Sequence, residues 1–174
     1  VSYVDSLDKI GNRTARAVLT LWARVPDQLS VDAFTPAAAR IIARANGQAW
    51  NVALAAVAVW VRANTNPRGT PIAAPVDPHH TSIDRLATGL GTTIAGADIA
   101  RRLERMARAE PIEAGHRGYS AAIDADDSIR GWERDTRGDA CDLCADWAAY
   151  GELPAHLPML THTACLCSQR PVPA

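Results

Sequence analysis

Aromatic residues are scarce in this 174-residue chain, at 5%, although 48% of its positions are hydrophobic. Much of that hydrophobic fraction is alanine, so the expected core is one of closely approaching helices. Long apolar runs are lacking too. The longest, Ala49 to Val61, is broken by Asn51 and falls short of the roughly 20 residues that span a bilayer, so it reads as a buried helix and no membrane contact is expected. Neither charge sign dominates: 18 basic against 19 acidic residues leave a net charge of -1, which excludes a generally basic nucleic-acid coat while leaving room for a local patch. A basic segment followed by an apolar one is missing from the start, Val1-Ser2-Tyr3-Val4-Asp5, so no signal peptide is read there and the expectation is synthesis in the cytoplasm. In that compartment thiols stay reduced, which favours metal ligation or free thiols over disulfides.

What is present is mainly helical in pattern. Leu7, Ile10, Thr14, Val18, Leu21, Trp22 and Val25 recur at spacings of three and four, giving a helix over about 3 to 25 that ends at Pro26-Asp27. Thr35-Pro36 reads as a cap followed by proline in the first helical turn. From Pro36 to about Arg62 no further proline occurs, so this stretch is a long spine, or two helices meeting at Gly47 if that glycine marks a close contact or a break. Residues 64–80, with Pro67, Pro71, Pro75 and Pro78, form a proline-rich connection. His79 and His80 within it diverge as neighbours and have no partner at a ligand spacing.

Thr81-Ser82 is expected to cap a short helix through Leu86, closed by Gly89-Leu90-Gly91. A further helix follows over about 96 to 109, interrupted by Pro111 and, after a His116-Arg117-Gly118 turn, resumed from Tyr119 to Arg130. Arg101, Arg102, Arg105 and Arg108 make a basic stripe on it that could meet phosphates or an acidic partner, although Glu104 and Glu110 favour a solvated, internally paired face. Asp124, Asp126 and Asp127 lack the alternating oxygen ligands and closing glutamate of a calcium loop.

All four cysteines lie in residues 131–174, the most acidic part, with three basic and six acidic groups. Such a segment is a poor binder of phosphate. Gly131 to Thr136 reads as a strand with Trp132 and Arg134 on one face, Arg137-Gly138-Asp139 as a turn, Cys141 to Ala149 as a short helix stopped by Gly151, Leu153 to Leu160 as an irregular excursion, and Leu166 to Val172 as a returning strand. Cys-x2-Cys lets two thiolates reach one tetrahedral zinc from a tight turn. Cys141, Cys144, His162 and Cys165 form the simplest ligand set, and Cys167 can replace either member of the second pair. A bound zinc would add folding energy to a module with little core of its own. Disulfides between the 141/144 and 165/167 pairs, or unligated thiols, remain alternatives. No general base or open coordination position accompanies the cluster, no strand-helix alternation surrounds the Cys-x2-Cys, and no oxyanion hole or orienting group serves a Cys144–His162 pair, so no catalytic residue is expected.

Gly131-Trp132-Glu133-Arg134, Gly138-Asp139-Ala140-Cys141-Asp142-Leu143-Cys144, Ala148 to Gly151, and His162-Thr163-Ala164-Cys165-Leu166-Cys167 with Pro171-Val172 together resemble the C-terminal module of the phage Mu F-like minor head proteins, a head-morphogenesis family of tailed phages. The resemblance is especially to the short actinobacterial phage versions. The specific match is confined to residues 131–174, and Asp142, Asp146 and the short loop after Tyr150 depart from the pattern. The resemblance implies a non-enzymatic structural protein of the virion, at the portal vertex of the phage head, acting in head morphogenesis or genome delivery. It implies contact with portal and other head proteins, and allows contact with packaged DNA. The alternative is a DNA-binding protein or regulator using the arginine stripe. The fold expected is mainly α, with a long-helix region over 1–130 and a small α+β Cys/His module over 131–174.

Overall fold

The computed structural model describes residues 2–65, 72–136, 138, 140–163 and 165–174. Val1, residues 66–71 of the proline-rich connection, Arg137 and Asp139 of the expected turn, and Ala164 lie outside the described residues. The chain is mainly helical, with a small strand region near its C-terminal end, in the order α1 (Tyr3–Trp22), α2 (Val31–Asn64), α3 (Pro78–Thr81), α4 (Ile83–Ile94), α5 (Ile99–Asp124), β1 (Ile129–Asp135), α6 (Asp142–Ala148), β2 (Leu153–Pro154) and β3 (Ser168–Pro173).

Helix α1 starts at a capping box. The Ser2 side chain accepts from the Asp5 amide at 3.1 Å, and the Asp5 carboxylate accepts from the Ser2 amide at 3.2 Å, an arrangement worth about 1 kcal/mol. Helix α2 begins earlier than Thr35-Pro36 implies. Its cap is Ser30, whose hydroxyl accepts from the Ala33 amide at 3.2 Å, and Pro36 lies inside the helix. Burial of Phe34, Ala38, Ala39 and Ile42 on either side offsets the hydrogen bond that proline removes. Gly47 is neither a break nor a contact point: α2 runs through it, and a Cβ there would meet nothing within 4 Å. The 34 residues of α2 extend about 50 Å.

Two other expected breaks are also absent. Helix α4 continues through Gly89 and Gly91 to Ile94, because Leu86, Leu90 and Thr93 form one buried face. Helix α5 continues through Pro111 and through the His116-Arg117-Gly118 segment. Ala107, Ile112, Ala114 and Tyr119 are all buried along it, and tertiary burial on this scale outweighs the roughly 3 kcal/mol that an interior proline costs.

Helix α2 is the spine. Its first half packs with Val18, Leu86, Leu90 and Leu103; its middle, at Ala45 and Ala49, with Leu7, Ile10 and Ile112; its last third, at Ala53, Val57 and Val61, with Tyr119, Ala122 and Ile123. The Arg85 guanidinium grips Glu110 with two bonds of 2.9 and 2.6 Å and ties α4 to α5. Contact between α1 and α5 is close at Gly11, where an added Cβ would stand 2.8 Å from the Arg108 carbonyl oxygen. Backbone cannot yield as a side chain can, so Gly11→Ala should destabilise the chain by about 1–2 kcal/mol even after its gain in helix propensity. Thermal unfolding of the variant beside wild type measures this.

The strands form one antiparallel sheet in the order β2-β1-β3. Trp132 pairs with Leu153 on one side and Pro171 on the other. Pro171 and Pro173 lie in edge strand β3, where missing amides discourage pairing with another sheet. The sheet rests on the helices: Ile129, Trp132 and Met159 share a cluster with Val57, Val61 and Ile123. The Trp132 indole donates to the Leu157 carbonyl at 2.8 Å, and the Ser120 hydroxyl of α5 donates to Gln169 of β3 at 2.8 Å.

Candidate metal centre

The sheet and α6 together determine where the cysteines lie. Cys141 caps α6 without using its side chain in the cap, which leaves its thiol exposed at the helix start. One turn further, Cys144 points inward and is buried. The described residues before β3 bring back His162, Cys165 and Cys167, and Gly151, in the left-handed region at φ 71°, terminates the α6 segment.

The structure brings all five expected ligands together in two triads that share Cys144. Cys141, Cys144 and His162 form one; Cys144, Cys165 and Cys167 form the other; within each, the ligand atoms all lie within 4.8 Å of one another. The His162 Nε2 is 3.3 Å from the Cys141 sulfur and 3.2 Å from the Cys144 sulfur, and the Cys144 and Cys165 sulfurs are 3.5 Å apart. Metal–sulfur bonds of 2.3 Å and metal–nitrogen bonds of 2.0–2.1 Å put tetrahedral edges at about 3.5–3.8 Å. The observed separations are shorter by at most a few tenths of an ångström. They are far too long for a disulfide of about 2.0 Å, and the cysteines are unbridged thiols.

Burial pushes the Cys144 thiol far above its ordinary pKa, and hydrogen bonding with Cys165, Cys167 and Cys141 raises it further. A cation at the centre would reverse that preference, because metal binding displaces the thiol protons. Arg134 sets a protein cation against the cluster. It is buried, its Nη1 is 3.9 Å from the Cys144 sulfur, its Nη2 donates to the Leu160 carbonyl, and its guanidinium lies 4.8 Å over the Trp147 ring. Trp132 and Arg134 thus do share the buried face of β1, one facing the helices and the other the sulfurs.

His116 is the residue that the sequence reading assigned to a turn and did not connect to the site. It lies in α5, 2% exposed, with Nε2 2.8 Å from the Cys165 carbonyl oxygen. A carbonyl only accepts, so Nε2 carries the hydrogen, and burial keeps the ring neutral by lowering its pKa to about 4. This bond fastens a ligand-bearing segment to the helical core. His116→Leu should leave that carbonyl unpaired, destabilise the chain by about 1–3 kcal/mol and weaken metal affinity by about 10–100-fold. Competition with a chromogenic chelator reads the second effect independently of unfolding. A groove of about 330 Å³ lies beside this support, lined by Glu113, His116, Thr161 and His162 among others, and no cysteine lines it.

The other candidates are dispersed. Arg101 and Arg105 are exposed, while Arg108 pairs with Asp8 at 2.8 Å and Arg102 donates to the Thr92 carbonyl at 3.4 Å. His80 is buried beside Trp50, its pKa lowered first by burial. Asp126 accepts from the Ser128 amide and hydroxyl. Among the described residues, neither the histidine pair nor the three aspartates belong to a group that could hold a metal. Among the described residues, no helix is long and apolar enough to cross a membrane.

No family model matches this sequence, and neither a curated protein nor a solved structure matches it.

Proposed function

We propose that the chain binds one structural zinc ion and acts as a minor head protein of a tailed phage, working through protein contacts at the portal vertex. The gathering of Cys141, Cys144, His162, Cys165 and Cys167 into two triads that share Cys144 supports the reading most strongly. Three or four sulfurs with one imidazole make a soft donor set that favours zinc over magnesium or calcium. Four of these five donors would fill a tetrahedral zinc site and leave no coordination position for substrate, so the ion fastens the segment before β3 to α6 and performs no turnover. The spacing of these residues and the Gly131-Trp132 strand carry the resemblance to Mu F-like head proteins. The long exposed flanks of α2 and α5 offer surface to a partner.

Two of the four stripe arginines are already engaged, Arg102 with a carbonyl and Arg108 with Asp8. That leaves only Arg101 and Arg105 for a nucleic acid and makes DNA binding through this stripe the weaker reading. Quantitative mass spectrometry of purified virions and portal-containing assemblies tests the role: the chain should be present at low copy in both. Its absence from both, or salt-dependent DNA binding lost on neutralising Arg101 and Arg105, would contradict it.

A further inference from the structure

A second patch of positive charge lies away from the expected stripe, its Arg13 donating to the Gln48 side-chain oxygen at 2.5 Å. Helices α1 and α2 enclose a groove of about 470 Å³ with Ala17, Ile41 and Ala45 in its lining and Arg13, Arg40 and Arg44 around it. No carboxylate lines this groove, and none of the three arginines has an ion-pair partner among the described residues. The sequence explains the bias. No acidic residue occurs between Asp8 and Asp27 or between Asp32 and Asp77.

The C-terminal module carries the complement. On α6, Asp142 and Asp146 are exposed, Leu143 is 45% exposed, and Tyr150 just beyond the helix is 73% exposed. At 100° per residue, Asp142, Leu143 and Asp146 fall within one stripe about 100° wide, on the side of α6 away from buried Cys144. Asp142 and Asp146 are four residues apart, as are Arg40 and Arg44, so each pair spans about 6 Å along its helix. A leucine bordered on one side by two carboxylates therefore matches, in chemistry and spacing, an apolar groove lined by guanidiniums. A nucleic acid would satisfy the arginines but leave Ala17, Ile41 and Ala45 without an apolar partner.

We infer that the α1/α2 groove receives helix α6 of a second copy of this chain, with Asp142 and Asp146 against Arg40 and Arg44 and Leu143 against Ile41. No residue of the module lines the groove, and α6 packs on β1 of its own chain, so the occupant comes from another molecule. Because the two surfaces differ, the contact is head to tail and propagates into a ring or a filament. A helix of seven residues covers less than the roughly 1,200 Å² below which contacts are transient. Each contact is accordingly weak and sensitive to salt.

Sedimentation velocity of the purified protein, from micromolar to submillimolar concentration, tests this directly. Wild type should associate reversibly, about tenfold more weakly at high salt than at low. Arg40→Glu with Arg44→Glu should give a monomer, and so should Asp142→Arg with Asp146→Arg. An equimolar mixture of the two variants should associate again, since each surface then meets its opposite. Circular dichroism and metal content confirm that both variants fold, and the arginine variant reads the interface without touching the cysteine segment. Wild type monomeric throughout, either variant associating like wild type, or a mixture that stays monomeric would overturn the inference. So would a DNA duplex that binds monomeric wild type through Arg40 and Arg44.

Discussion

Cys144→Ser should abolish stoichiometric metal binding and lower the stability of the chain by on the order of 5 kcal/mol. Cys144 belongs to both ligand triads, so its loss opens both at once, whereas loss of Cys165 or Cys167 leaves the other available. Isolated zinc modules gain about 10–16 kcal/mol of apparent binding energy. The loss expected here is smaller because Trp132, Ile129 and Met159 also anchor the module through the helical core. Far-ultraviolet circular dichroism should therefore stay close to wild type, while the near-ultraviolet signal of Trp147, which lies over Arg134 and 6.4 Å from His162, should collapse. Chelator added to wild type should reproduce both changes, and chelator added to Cys144→Ser should change nothing. A variant that retains one zinc per chain would contradict the assignment.

Trp132→Ala should be as costly by a different route. The side chain is 1% exposed, packs against α2 and α5, and places its indole nitrogen on the Leu157 carbonyl. Truncating such a residue costs about 3–5 kcal/mol, and the orphaned carbonyl adds about 1 kcal/mol more. For a chain of this size that lowers the unfolding midpoint by about 10–15 °C. No metal ligand sits on β1, so one zinc per chain should remain below the midpoint. The two variants thus separate the forces that hold the module: one removes the ion and keeps the hydrophobic seat, the other removes the seat and keeps the ion. If Trp132→Ala loses its zinc at low temperature, the seat and the clasp are not separable in this way.

The grouping of the candidate ligands could be read from the sequence because metal chemistry demands few residue types at short spacings. Cys141, Cys144, His162, Cys165 and Cys167 are the chain's densest group of such residues, and they meet in the fold. Helix α1 was legible for a similar reason, since its apolar residues repeat on a single face. What could not be read were decisions made by distant packing. Pro111 and the glycines of α4 are local breakers, and they lie inside helices because residues far away in the chain bury their flanks. Pro36 misplaced a helix start for a local reason, since Ser30 supplied an earlier cap of the same kind as Thr35. His116 carried no local sign of its role, because its partner is a backbone carbonyl 49 residues away. The α1/α2 groove escaped notice since Arg13 and Arg40 become neighbours only when two helices pair; within either helix they are ordinary exposed charges.

X-ray absorption at the zinc edge of the purified protein tests the central claim most directly. One zinc per chain should appear, surrounded by three sulfurs at about 2.3 Å and one nitrogen at about 2.0 Å. Protein that holds no metal while all of its cysteines react freely with a thiol reagent, or that shows them joined as disulfides, would contradict it.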